Sequence, residues 1–268
     1  LVSFVINPCG TNPWEVSDEL ALSKGDGMTH TAKNGLRWLG MTLMLAALVL
    51  PAFGQSGRNP LVQRRVHELV DRAQAALEQG RLAEAQACAD LVLIRRTVRV
   101  RVDFTNVPSN QLPAADRAVR DSLIMWQDAL GGEVSFSLVS NGTADVRIRY
   151  APSVRTQGRE IGAFATWSRN LWQWSEDSFD YRISADITLR THKPNGEAMT
   201  YGAWRHTAGH ELGHVLGLWD SGRVGDLMGP VDLDRPVLEP TARERAALLE
   251  ARQVATQVAH TLQFVVRR

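Results

Sequence analysis

The stretch from His206 to Pro230, HTAGHELGHVLGLWDSGRVGDLMGP, decides how the rest of the chain is read. His210 and His214 are four positions apart, and four helical steps of about 100° return a side chain to within about 40° of its starting direction. The pair therefore shares one helix face and can grip one metal ion. Glu211, one step round from His210, reaches the edge of that coordination sphere, where a carboxylate can hold and deprotonate a water; it is placed as a base, not as a ligand. Gly217 is where the helix should end, because glycine adopts the left-handed C-cap without a Cβ clash. The turn beyond it can carry Asp220 back under the metal. Two imidazoles and one carboxylate leave a fourth position for water, the open arrangement of a catalytic zinc.

HELGHVLGLWD followed by DLMGP resembles the signature of the metzincin zinc proteases, in which H-E-x-x-H-x-x-G-x-x-H/D precedes a methionine-containing turn. The ending Met228-Gly229-Pro230 is similar to the matrixin branch, and an aspartate in the third-ligand position is similar to the small secreted bacterial snapalysins. The resemblance implies His210, His214 and Asp220 as ligands of one catalytic Zn2+, Glu211 as general base and Met228 as packing beneath the site. It does not use His206, one turn before His210. Zinc held by two neutral imidazoles and one carboxylate carries a net charge of about +1, against +2 with three histidines, so its water should be less acidic. Asp220→His is then expected to move the acidic limb of kcat/KM to lower pH.

Outward from this stretch, a chain of 268 residues can bury a sizeable core, and a formal charge of +1 implies no affinity for nucleic acid or a membrane surface. Cys9 and Cys88 are too far apart for a metal-type cluster, and a disulfide scaffold is not expected. Met28, Lys33 and Arg37, the apolar run Leu39 to Leu50 and the small residues Ala52 and Gly54 have the layout of a secretory signal peptide, residues 28–54, cut near Gly54-Gln55. An uncleaved anchor is the alternative, for which the run is short. Residues 1–27, upstream of a start-like methionine, are expected not to belong to the natural product. Secretion follows, to the outside or the periplasm, with no stable membrane association after cleavage.

Residues 55–96 read as a helical hairpin. Val62, Val66, Leu69, Val70, Ala73 and Leu77 share one face, Gly80 breaks the pattern, and an alanine-rich helix spans Leu82 to Leu93. One hairpin cannot bury its own face, so it must pack on something. Standing where it does, it is either a pro-segment removed near Arg95-Arg96 or a permanent extension. Cys88 reads as a small buried hydrophobe, since AQACADL lacks the flanking residues of a thiolate latch on zinc.

The catalytic domain is placed at 97–268. TVRVRVDFT alternates as a half-buried strand, Ala114 to Leu130 forms a helix, and Val134–Val139 and Ala144–Tyr150 are strands joined by Ser140-Asn141-Gly142. Ile161 to Trp167, by the resemblance, is the edge strand above the cleft, where Gly162, Ala163, Phe164 and Ala165, with Pro230 opposite, would bind an extended protein or peptide substrate. Thr166 stands where matrixins carry a histidine for a structural zinc, so no second zinc is expected; calcium loops are equally unsupported. Ser168 to Tyr181 reads as an aromatic-rich loop, lining the cleft or packing as a satellite cluster, before a last strand Ile183–Leu189. A final helix opens on the capping box Thr241 and Glu244.

The expected fold is α+β: a metzincin-like catalytic domain with a twisted mixed five-stranded sheet, an active-site helix and a C-terminal helix, preceded by the hairpin. The expected function is a zinc-dependent endopeptidase. The rival from another class is a non-catalytic binding module on a protease scaffold, against which the intact Glu211 argues.

Overall fold

The computed structural model describes residues 58–175 and 177–266; the expected signal peptide and the segment before it lie outside the described residues. Helices α1 (Arg64–Glu78) and α2 (Leu82–Leu93) form the hairpin, turning at Gly80 with φ +72°. Val62 falls outside α1 and makes an isolated antiparallel bridge with Leu218, so the apolar face begins one turn later than the sequence pattern suggests.

Strand β1 (Val98–Asp103) precedes α3 (Leu112–Ala129), β2 (Phe136–Leu138) and β3 (Val146–Ala151). The turn at Ser140-Asn141-Gly142 does not join neighbours: β2 and β3 lie on opposite sides of β1, both parallel to it, with Val98 opposite Phe136 and Val100 opposite Val146. A small antiparallel hairpin follows, β4 (Val154–Thr156) and β5 (Arg159–Ile161), and then two long strands, β6 (Ala163–Ser175) and β7 (Ser178–Arg190). The five-stranded sheet has the order β2-β1-β3-β7-β6 and is parallel except for β6, its terminal strand, which runs antiparallel to β7.

Two expectations change here. The edge strand is not Ile161–Trp167: Ile161 closes β5, Gly162 is a bend, and β6 begins at Ala163. The segment Ser168–Tyr181 is not a loop but the distal part of the β6–β7 hairpin, with Leu171 opposite Tyr181 and Trp172 opposite Asp180. The strand hides from its pattern because the inward position after Trp167 is Arg169, a charged residue only 6% exposed. Its guanidinium donates to Leu91 O at 3.0 Å and Val215 O at 2.7 Å, carbonyls in the last turns of α2 and of the helix described next. Two helix C-termini, where carbonyls lack partners and the backbone dipoles present negative ends, take the place of a carboxylate.

Helix α4 (Tyr201–Leu216) packs against α3 and under β6 and β7, and α5 (Ala242–Val266) packs against both hairpin helices. Trp126 Nε1 donates to Gly209 O and Trp204 Nε1 to Arg190 O, each at 2.8 Å, fixing α4 against α3 and against the end of β7. Leu69, Ala73 and Leu91 of the hairpin belong to the same apolar core as Val100, Ile187 and Trp204, and all six are sealed from solvent. Among the described residues no helix is long and apolar enough to cross a membrane.

Candidate metal centre

Helix α4 starts where Thr200 Oγ1 accepts the Ala203 N–H at 3.1 Å and ends at Gly217. There φ is +116°, and the Gly217 and Leu218 N–H groups return to Gly213 O at 3.1 Å and 2.9 Å. A Cβ at Gly217 would also stand 2.8 Å from Val66 Cγ2, so glycine is required by both conformation and space. The helix is buried along nearly its whole length, which places His210, Glu211 and His214 at 8%, 7% and 4% exposure.

Each histidine gives one ring nitrogen to a loop carbonyl. His210 Nδ1 lies 2.9 Å from Leu227 O, and His214 Nδ1 lies 3.0 Å from Leu218 O. A carbonyl can only accept, so each Nδ1 carries a hydrogen, and each Nε2 is the nitrogen left to bind a metal or, without one, a proton directed at Asp220. Asp220 Oδ1 stands between those two nitrogens, 3.2 Å from His210 Nε2 and 3.4 Å from His214 Nε2. Ligands at about 2.0–2.1 Å from one tetrahedral zinc are about 3.3 Å from each other, so these separations suit a shared ion. The three residues form the one metal-competent histidine, cysteine or acidic group among the described residues, and their donor atoms all lie within 4.8 Å of one another. The site thus fits zinc by donor type, tautomer and spacing.

Burial acts to raise the Asp220 carboxyl, but hydrogen bonds and charge from the two imidazoles outweigh it and hold Asp220 well below the usual carboxylate range. Glu211 goes the other way: burial pushes its carboxyl up, while the His210 and His214 imidazoles pull against that and the Asp220 charge adds to it. Two neighbouring acids are thereby separated into an anionic ligand candidate and a carboxyl with raised proton affinity.

Met228 lies under the pair. A Cβ at Gly213, between the two histidines on α4, would fall 2.3 Å from Met228 Sδ, so the thioether occupies the space that any other residue at 213 would need. The loop carrying Met228 is fastened at several points. Ser221 N–H donates to Met228 O at 2.6 Å, Ser221 Oγ to Asp226 at 2.5 Å, and Arg243 holds Asp226 from α5. Glu244, completely buried, accepts Met228 N–H at 2.6 Å and Leu227 N–H at 3.3 Å while also capping α5 through Thr241 N–H at 2.6 Å. Sequence reading finds the cap, whose partner is three residues away; the bonds to the turn carry no sequence signal.

A cavity of about 360 Å3 opens beside the centre. Gly162, Ala163, Phe164 and Ala165 line one side, Met228, Pro230 and Val231 another, with His210, Glu211, His214 and Asp220 at its base. Every site residue expected from the sequence therefore borders one space. His206 stands apart from the donor group: it is buried and its Nδ1 accepts Val237 N–H at 3.2 Å. Cys88 is sealed in the core within α2, and burial lifts its thiol to about 11. Trp172, Trp174 and Tyr181 line a separate cavity with Leu91, Ile94 and Arg96, so these aromatics do not shape the space beside His210.

Sequence reading missed two residues near His214. The Trp167 indole stacks on the His214 imidazole, with centroids 4.7 Å apart and planes at 7°. Gln63, preceding α1 and 4% exposed, donates to His214 O and Leu218 O at 2.8 Å and 2.9 Å. No motif marks a lone glutamine 151 residues upstream of its partner. Compared with known families, residues 96–235 match the model described as Matrixin. No curated protein matches the chain.

Proposed function

The chain belongs to the matrixin family of zinc metallopeptidases, and from that premise we propose a secreted endopeptidase in which His210, His214 and Asp220 hold one zinc and Glu211 is the general base. The observation that carries the proposal is Asp220 Oδ1 standing 3.2 Å and 3.4 Å from two Nε2 atoms whose rings are each held through Nδ1 by a loop carbonyl. Secretion rests on the basic, apolar and small-residue succession of residues 28–54.

His210, His214 and Asp220 would hold the zinc, which would supply a Lewis acid for a water and for the scissile carbonyl. Glu211, at the base of the cavity beside His210, takes the proton of the attacking water and returns it to the leaving amine. An extended peptide can lie along β6, the terminal strand, and pair with its backbone. The cavity walls of Ala163, Phe164, Met228, Pro230 and Val231 favour an apolar side chain next to the scissile bond.

Stoichiometric zinc in the purified protein, and cleavage of a casein-type substrate that stops with a chelator and returns with zinc, are the expected results. Glu211→Ala should keep the zinc and lose turnover by about 10²–10⁴-fold, judging from what positioned acid–base groups contribute. Residual activity above a few per cent, or loss of the metal with Glu211, would remove Glu211 from its assigned place.

A further inference from the structure

His214 is supported from outside the segment that matches the family. Gln63 Nε2 donates to His214 O at 2.8 Å and to Leu218 O at 2.9 Å, and Leu218 O is the same carbonyl that receives His214 Nδ1. The other end of the amide, Oε1, accepts the Trp167 indole N–H at 3.2 Å, and that indole lies flat on the His214 ring. One buried amide thus holds both the acceptor of the imidazole and the plane stacked against it. The neighbouring backbone repeats the attachment: Gln63 N–H donates to Gly217 O at 2.8 Å, and Trp219 N–H donates to Leu61 O at 2.7 Å.

We propose that Gln63 is a positioning residue for His214, and that the N-terminal hairpin is a constitutive part of the metal centre and not a removable cover. The proposal rests on the reading of His214 as a zinc ligand. An imidazole ligand holds its tautomer and tilt through the bond made by its second nitrogen, and groups that fix this acceptor usually alter metal affinity when lost. Leu218 follows the αL turn at Gly217, and in α4 its carbonyl meets the His214 side chain, the group it has to orient. Gln63 supplies a second donor that fixes this carbonyl independently of the imidazole. Methionine would fill the space without donors, and glutamate would set a carboxylate against two carbonyls. None of the hairpin's described residues borders the cavity at His210.

The test uses the full chain with Gln63→Met, Gln63→Glu and, as a control for hairpin stability, Leu69→Ala, a sealed core residue of α1 that is not bonded to the end of α4. Zinc affinity by competition with a chromophoric chelator, the visible spectrum of the cobalt-substituted protein, and the melting temperature of the zinc-free protein are measured on each. Both Gln63 variants should weaken zinc binding about 10–100-fold and shift the cobalt bands. Leu69→Ala should lower the melting temperature by at least as much while leaving affinity within about twofold. Unchanged affinity and spectrum in Gln63→Met, or an equal affinity loss in Leu69→Ala, overturns the proposal. If neither of these Gln63 variants folds, Gln63→Asn keeps the amide but withdraws it by one methylene from both carbonyls, and a weakening of a few fold supports the proposal where no change defeats it. Wild-type protein that takes up no zinc would overturn the ligand assignment and this inference together, whereas normal zinc uptake with silent Gln63 variants defeats this inference alone.

Discussion

His210 and His214 stand one turn apart on the same helix, and each gives its Nδ1 hydrogen to a loop carbonyl, yet opposite ends of the chain hold the two loops by opposite chemistry. Behind His210, the turn at Leu227-Met228 presents backbone N–H groups, and the carboxylate of Glu244 on α5 accepts them. Behind His214, the end of α4 presents carbonyls, and the amide of Gln63 donates to them. The polarity of the exposed backbone dictates the residue type: a helix C-terminus leaves oxygens unpaired and needs a donor, whereas this turn leaves nitrogens unpaired and needs an acceptor. Both supports lie outside residues 96–235, so the family segment carries the ligand candidates and the flanking helices hold them still.

The largest effect is expected on the C-terminal side. Glu244→Ala leaves the Leu227, Met228 and Thr241 N–H groups without their acceptor, at about 1–3 kcal/mol for each buried unsatisfied group, so a loss on the order of 5 kcal/mol is expected in urea unfolding. Glu244→Gln keeps one acceptor oxygen and should lose about half as much. A Glu244→Ala protein within about 1 kcal/mol of wild type would mean that the Ser221 and Arg243 contacts hold the turn alone.

The second expectation concerns independence. Gln63 and Glu244 share no hydrogen-bond partner, so a Gln63→Met/Glu244→Gln double variant should lose the sum of the single losses to within about 0.5 kcal/mol. Coupling above about 1 kcal/mol would show one network running through both histidines, and the contrast drawn between the supports would fail.

How far this contrast could be read in the sequence follows from the reach of each interaction. His210, Glu211, His214 and Gly217 are legible because helix periodicity alone relates them. The helix Leu82–Leu93 is legible for a similar reason: breaks such as Gly80 act within a few residues. Glu244 is half legible, since its cap on Thr241 is local while its bonds to Leu227 and Met228 cross 17 and 16 residues of irregular chain. Gln63 is illegible, its partners being 151 and 155 residues away. The extent of β6 was masked by Arg169, because a buried charge neutralised by two helix ends looks like a strand terminus in any hydropathy pattern.

Smaller effects separate support of the metal from stability in general. Thr241→Ala removes one hydroxyl bond to Glu244 and the N-cap of α5, and should lose about 1 kcal/mol while zinc affinity stays within about twofold, because the carboxylate still accepts Met228 N–H. Should affinity fall with the cap, Glu244 depends on Thr241 for its orientation, and the C-terminal support is a pair of residues.

The least disturbance is expected from a cut between Arg95 and Arg96, made at a protease site inserted there. Both residues are exposed, and the αL turn at Ile94 already separates α2 from β1. A pro-segment covering the cleft should dissociate after such a cut and unmask activity. The hairpin should stay, because Leu69, Ala73, Cys88 and Leu91 are sealed in the common core and Gln63 and Arg169 join it to the end of α4. Apolar surface of that extent holds a fragment without a covalent link, as it does in an obligate interface. Native size-exclusion of the nicked protein should therefore give one peak containing both fragments, with zinc content and kcat/KM unchanged. A released hairpin accompanied by a rise in activity would make residues 55–96 an inhibitor, and would leave the C-terminal helix as the only permanent support of the two histidines.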